Sequence, residues 1–216
     1  MSISENILKI KSKLPESVAL VAVSKTKPIS DLLEAYNVGQ RIFGENKIQE
    51  MVSKYNQMPK DIAWHMIGHI QRNKVKYMAP FVNLIHGVDS LKLLKEINKE
   101  AAKKDRKIRV LFQLKVAQEE TKFGWETAQL LSFVDGFAPE FYTHIQFVGI
   151  MAMATNTTDK EQMFANINAM IDPSIGAYLI YKPGALPIPQ KFTSADELQQ
   201  AFGTIGESLI LLGCEP

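Results

Sequence analysis

Apolar positions along this chain switch period repeatedly. Short runs rich in β-branched residues, such as "VALVAVS" at 18–24, alternate with stretches whose apolar residues recur every three to four positions. The first kind predicts strands near 18–24, 41–44, 62–67, 84–88, 108–116, 145–153, 177–181 and 208–212. The second kind predicts helices: the leading "MSISENILKIKSKL", "ISDLLEAYNVG" closed by Gly39, 45–57, 71–78, 90–104 begun at Ser90, 125–135, 159–170, and "SADELQQAFG" with Ser194 as its N-cap. Strands alternating with helices signal βα units around a parallel sheet. Eight such units within 216 residues suggest a closed barrel, although a doubly wound sheet would give a similar count. The segment "KPGALPIPQ" at 182–190 holds three prolines and reads as a loop.

Composition narrows the class without changing this picture. Hydrophobic residues make up 46% and charged residues 22%, ordinary values for a globular protein. No apolar run approaches the ~20 residues of a membrane span, and the N-terminus lacks a secretory apolar core, so the cytoplasm is the expected location. A single cysteine, Cys214, allows neither an internal disulfide nor a cysteine-built metal site, which suits a reducing compartment. The formal net charge of +2 is too small to point to nucleic acid. The basic segment "KEAAKKDRK" reads as the solvated face at a helix end. Neither a phosphate loop nor a Gly-x-Ser-x-Gly elbow is present, which removes the usual signals of triphosphate binding and serine hydrolysis.

In a barrel the chemistry collects at the C-terminal ends of the strands. Lys25 follows the first strand. Counting by two, Val21, Val23 and Lys25 share one face, which aims the amine at the barrel mouth with apolar walls behind it. A lysine there either snorkels to the surface or uses its amine in chemistry such as imine formation. After the second strand, "FGENKIQE" places Glu45 and Asn46 at the head of a helix, where one of them caps it or Asn46 donates to a ligand oxygen. In "WHMIGHIQRNK", His65 and His69 are four apart, but Gly68 breaks a helical reading, so a shared metal is not expected. His86 reads as a core histidine, and "QEETKFG" as a solvated loop.

Six stretches, "VAVSKTKP", "FGENKIQE", "WHMIGHIQRNK", "VDSLKLLKEINKEA", "EETKFG" and "FVGIMAMAT", come in the order and spacing of the pyridoxal 5′-phosphate (PLP) homeostasis proteins. Over roughly residues 3–162 the chain strongly resembles that family, whose fold is like the N-terminal barrel of alanine racemase. The resemblance implies a single α/β domain over 1–216, a (β/α)8 TIM barrel with an extra N-terminal helix. It further implies that Lys25 holds PLP as an internal aldimine, that Asn46 lies near the cofactor, and that the protein carries or buffers PLP without turnover. PLP is then the ligand, PLP-dependent apoenzymes the expected partners, and a monomer the expected state, with no nucleic acid, membrane or metal.

The chain also departs from the family. Met151-Ala152-Met153 stands where the family has Met-Gly-Met, and Lys115 where it has Asn. Residues 163–216 are atypical: the family's Ser-Met-Gly-Met-Ser-x-Asp and Gly-Ser-Thr-x-Val-Arg-Ile-Gly motifs, which hold the phosphate and face the pyridine nitrogen, are absent as such. "SADELQQAF" keeps Ser194 and Asp196, and "GESLILLG" keeps Gly206 and Gly213, but Leu211 stands at the arginine position. Leucine has no donor for a phosphate or a ring nitrogen, leaving Ser194 and Gly213 as the expected phosphate contacts. Two other functions remain open: a racemase-like PLP enzyme, though 216 residues leave no room for the racemases' added β-domain, and a barrel scaffold that has lost PLP.

Overall fold

The computed structural model describes residues 2–12, 14, 19–115 and 123–152. The expected seventh and eighth strands, the expected helices at 159–170 and 194–203, and Ser194, Leu211, Gly213 and Cys214 lie outside them, as does most of "QEETKFG". The chain runs α1 (Ile3–Lys11), β1 (Ala22–Val23), α2 (Ile29–Asn37), β2 (Ile42–Glu45), α3 (Ile48–Gln57) and β3 (Ala63–Met66). After a 3₁₀ turn at Arg72–Lys74 come α4 (Val75–Met78), β4 (Val82–Val88), α5 (Leu91–Ala102), β5 (Ile108–Leu114), α6 (Thr127–Asp135) and β6 (Ile145–Ala152).

Local chemistry sets several boundaries. Ser2 and Glu5 form a reciprocal capping box that starts α1. The Ser90 hydroxyl accepts from the Leu93 amide and starts α5 at the expected residue. Gly39, at φ +86°, supplies the left-handed residue that turns the chain out of α2. The first strand is shorter than expected: only Ala22 and Val23 pair, with Phe43 and Gly44.

All six strands are parallel and lie in chain order, β1-β2-β3-β4-β5-β6. A doubly wound sheet reverses its order at a switch point, so the described strands follow the barrel order instead. Apolar layers cover both faces of the sheet. The larger lies between the sheet and its helices and includes Phe43, Trp64, Met66, Ile85, Ile97, Val110 and Phe112. The smaller sits on the opposite face, where Leu84 and Leu111 are joined by Val21, Val148 and Met151. In a flat sheet β1 and β4 would be about 14 Å apart, three strand spacings of ~4.8 Å. Val21, immediately before β1, nonetheless packs against the cluster formed by Leu84 of β4 and Leu111 of β5, so the sheet rolls toward closure.

Candidate cofactor site

The sheet register brings two of the expected site residues to neighbouring strand ends. Val23 of β1 pairs with Gly44 of β2, and Lys25 and Asn46 each stand two residues beyond that pair. Asn46 is half-buried and its amide has no hydrogen-bond partner among the described residues. The Lys25 amine likewise has no ion pair or hydrogen bond among them. Lys25 is exposed rather than buried against apolar walls, because β1 stops at Val23 and the chain turns over Ser24–Lys27, closed by the Lys27 amide on the Ser24 carbonyl at 3.0 Å. Ser194 and Gly213, the expected phosphate contacts, lie outside the described residues.

Neither Glu45 nor Asn46 caps α3, which begins at Ile48 after Lys47 with no side-chain cap. Glu45 is instead the last residue of β2, paired with Met66 and fully buried. Its carboxylate oxygen Oε1 accepts from the Ser24 hydroxyl at 2.5 Å and from the Lys54 ammonium at 2.7 Å. Lys54, itself almost wholly buried, also donates to the Ser24 carbonyl at 2.6 Å and to Glu50 Oε1 at 2.7 Å. Three donors meet three acceptors, so this ammonium is saturated. Glu50 Oε1 in turn accepts from the Thr26 amide at 2.6 Å. Burial pushes the Glu45 carboxyl up, against the pull of Lys54 and Ser24, and its second oxygen has no partner among the described residues. The i,i+4 spacing of Glu50 and Lys54 was the only sequence signal for this network; its reach to β1 and β2 was not legible.

The two histidines four apart separate as expected. His65 lies in β3, while His69 follows it, pairs with Asp89 at 3.1 Å and stacks on Phe123 at 3.9 Å. The partner of His65 is His86, whose Nε2 lies 3.1 Å from His65 Nδ1, and both rings are buried. Burial, reinforced by the charge of Arg109 and opposed by a hydrogen bond to Asn83, lowers His65 to about 4. Burial, then His65, takes His86 well below its ordinary value. His86 is thus a core residue, but its Nδ1 has no partner among the described residues.

Glycines let the strand ends approach closely. A Cβ on Gly68 would lie 2.4 Å from the Asn46 carbonyl oxygen, and one on Gly124 (φ +150°) would lie 2.6 Å from the Lys115 amide nitrogen. Residues 123–125 lie against the ends of β4 and β5. The Trp125 indole donates to the Val88 carbonyl at 2.9 Å, and the Gln113 amide donates to the Phe123 carbonyl at 2.8 Å.

Parallel strands in chain order, rolled so that the segment at β1 packs toward β4 and β5, with a lysine just past the first strand, define an α/β protein of the barrel class with its candidate site at the strand ends. The profile of the alanine racemase N-terminal domain family matches residues 1–172. Pyridoxal phosphate homeostasis protein from Vibrio alginolyticus is 34% identical over 175 residues, covering 74% of each chain. The chain belongs to that family, the pyridoxal phosphate homeostasis proteins with an alanine racemase N-terminal domain fold. Among solved structures, PipY of Synechococcus elongatus is 31% identical and covers 78% of each chain. Its TM-score is 0.72 without PLP and 0.70 with PLP bound.

Proposed function

We propose that this protein holds PLP through Lys25 as a non-catalytic carrier or buffer of the cofactor in the cytoplasm, released to PLP-dependent apoenzymes. The observation that carries the reading is the pairing of Val23 with Gly44, which sets a primary amine and an amide, neither with a partner among the described residues, at adjacent strand ends. That donor set fits PLP. When bound, PLP supplies an aldehyde that condenses with a primary amine and releases water.

In this reading Lys25 provides the amine, and its exposed position leaves it accessible to incoming cofactor. Asn46 offers amide donors and an acceptor to a ring substituent. Ser194 and Gly213 would serve the phosphate as neutral donors, since Leu211 cannot. The absence of turnover rests on the name borne by the relatives, and PipY, with PLP bound, supports the ligand. Borohydride treatment of the PLP-loaded protein should fix a pyridoxyl group on Lys25, with no amino-acid racemase or transaminase rate above a Lys25→Ala control. A label on Lys27 or Lys74, or none, refutes the anchor; a Lys25-dependent rate refutes the non-catalytic role.

A further inference from the structure

We propose that Lys54, together with Glu45 and Glu50, is the positioning group for Lys25, holding the peptide units on both sides of it so that the amine is presented at one place. The inference rests on reading Lys25 as the PLP anchor. Lys54 Nζ binds the Ser24 carbonyl, the acceptor of the peptide unit that precedes Lys25, at 2.6 Å. Glu50 Oε1 binds the Thr26 amide, the donor of the peptide unit that follows it, at 2.6 Å. Lys54 and Glu50 are bridged to each other at 2.7 Å and stand one turn apart on α3, so one helix grips both flanks of Lys25.

The grip acts where the backbone is least able to hold itself. Thr26 adopts φ +63°, a left-handed conformation unfavourable for a β-branched residue, and it persists only when its surroundings impose it. Lys54 is also an expensive way to fill a buried position. Lys54 shares its burial with the Glu45 carboxylate, so apolar residues in place of the whole network would avoid desolvating both charges, whereas removing one member leaves the rest unpaired. What the ion network supplies and an apolar side chain cannot is a directed bond to the Ser24 carbonyl. Flexible lysines gain effective concentration when their backbone is fixed, so loosening the turn should cost covalent capture of the aldehyde and leave recognition of the ring and phosphate alone.

Lys54→Met tests this, with Glu50→Ala as the milder variant. Each is titrated with PLP and with pyridoxine 5′-phosphate, whose alcohol cannot condense with an amine, and the borohydride-fixed label on Lys25 is quantified. Lys54→Met is expected to weaken PLP binding about tenfold and lower the fixed label in proportion, with affinity for the alcohol unchanged within about twofold. Equal weakening toward both ligands means a merely structural role and overturns the inference, as does unchanged PLP affinity. If Lys54→Met does not fold, Glu50→Ala decides: a loss of about threefold for PLP alone supports the positioning role, and no loss overturns it. Absence of label on Lys25 in the unaltered protein overturns the anchor reading, and this inference with it. A labelled unaltered protein with an equally well labelled Lys54→Met overturns the inference alone.

Discussion

Acid should loosen this protein through the buried pair His65 and His86, well before carboxylate titration is complete. His65 falls from an ordinary 6.5 to about 4 in the folded chain, because burial and Arg109 both oppose the charged ring. Between those values the unfolded chain binds a proton that the folded chain refuses. Stability from this group is therefore complete above 6.5 and is lost as pH falls toward 4. At ~1.36 kcal/mol per pH unit, about 2 kcal/mol is lost by about pH 5 and roughly 3 kcal/mol by pH 4. His86 works in the same direction. Glu45, raised by burial, has the opposite sign: its contribution to stability grows as pH falls from its folded value toward 4.5, so the total profile alone does not isolate the histidine.

The assay is urea unfolding of the wild type and of His65→Gln at several pH values from about 8 to 5, since Glu45 is common to both chains. The stability difference between the two should narrow by about 2 kcal/mol over that range. Parallel profiles would refute the reasoning. So would NMR titration of the His65 ring with a midpoint near 6.5 in the folded wild type, a reading that stands even if the variant does not fold.

Two further outcomes test the mouth of the barrel. Gly68→Ala puts a Cβ 2.4 Å from the Asn46 carbonyl oxygen, and backbone must shift to admit it. The expected cost is about 1–3 kcal/mol in unfolding, with weaker PLP binding because Asn46 moves; an unchanged melting point and affinity would show that the contact relaxes freely. Leu211→Arg should tighten PLP binding about tenfold if Leu211 occupies the family's arginine position, read in the same PLP titration, since a charged contact is regained. A collapsed melting point without tighter binding would show that the position is ordinary core.

Much of the chain was legible before any coordinates. Short, mostly apolar runs marked the six described strands because a parallel sheet buried on both faces needs apolar side chains in consecutive positions. Ser90 and Gly39 marked a helix start and a helix end because their requirements are local: a hydroxyl for an orphan amide, and a residue free to turn left-handed. Lys25 and Asn46 stood out as residues just past strands, the place where a barrel exposes chemistry.

What the linear pattern could not carry was any property that depends on two distant segments meeting. Periodicity favoured a barrel but left a doubly wound sheet open, and strand order, together with the packing of Val21 against the Leu84 and Leu111 cluster, decided between them. Glu45 was expected at a helix head, yet it ends a strand, because the Lys54 ammonium and the Ser24 hydroxyl reach it from other elements. His65 stands four from His69 in sequence, where Gly68 argued against a pair, and is paired in space with His86, twenty-one positions away. Local sequence determines which elements form, since capping and burial period act over a few residues. Partners for a buried charge or ring are chosen by the fold, because desolvation forces each to find whichever group the packed strands bring within reach.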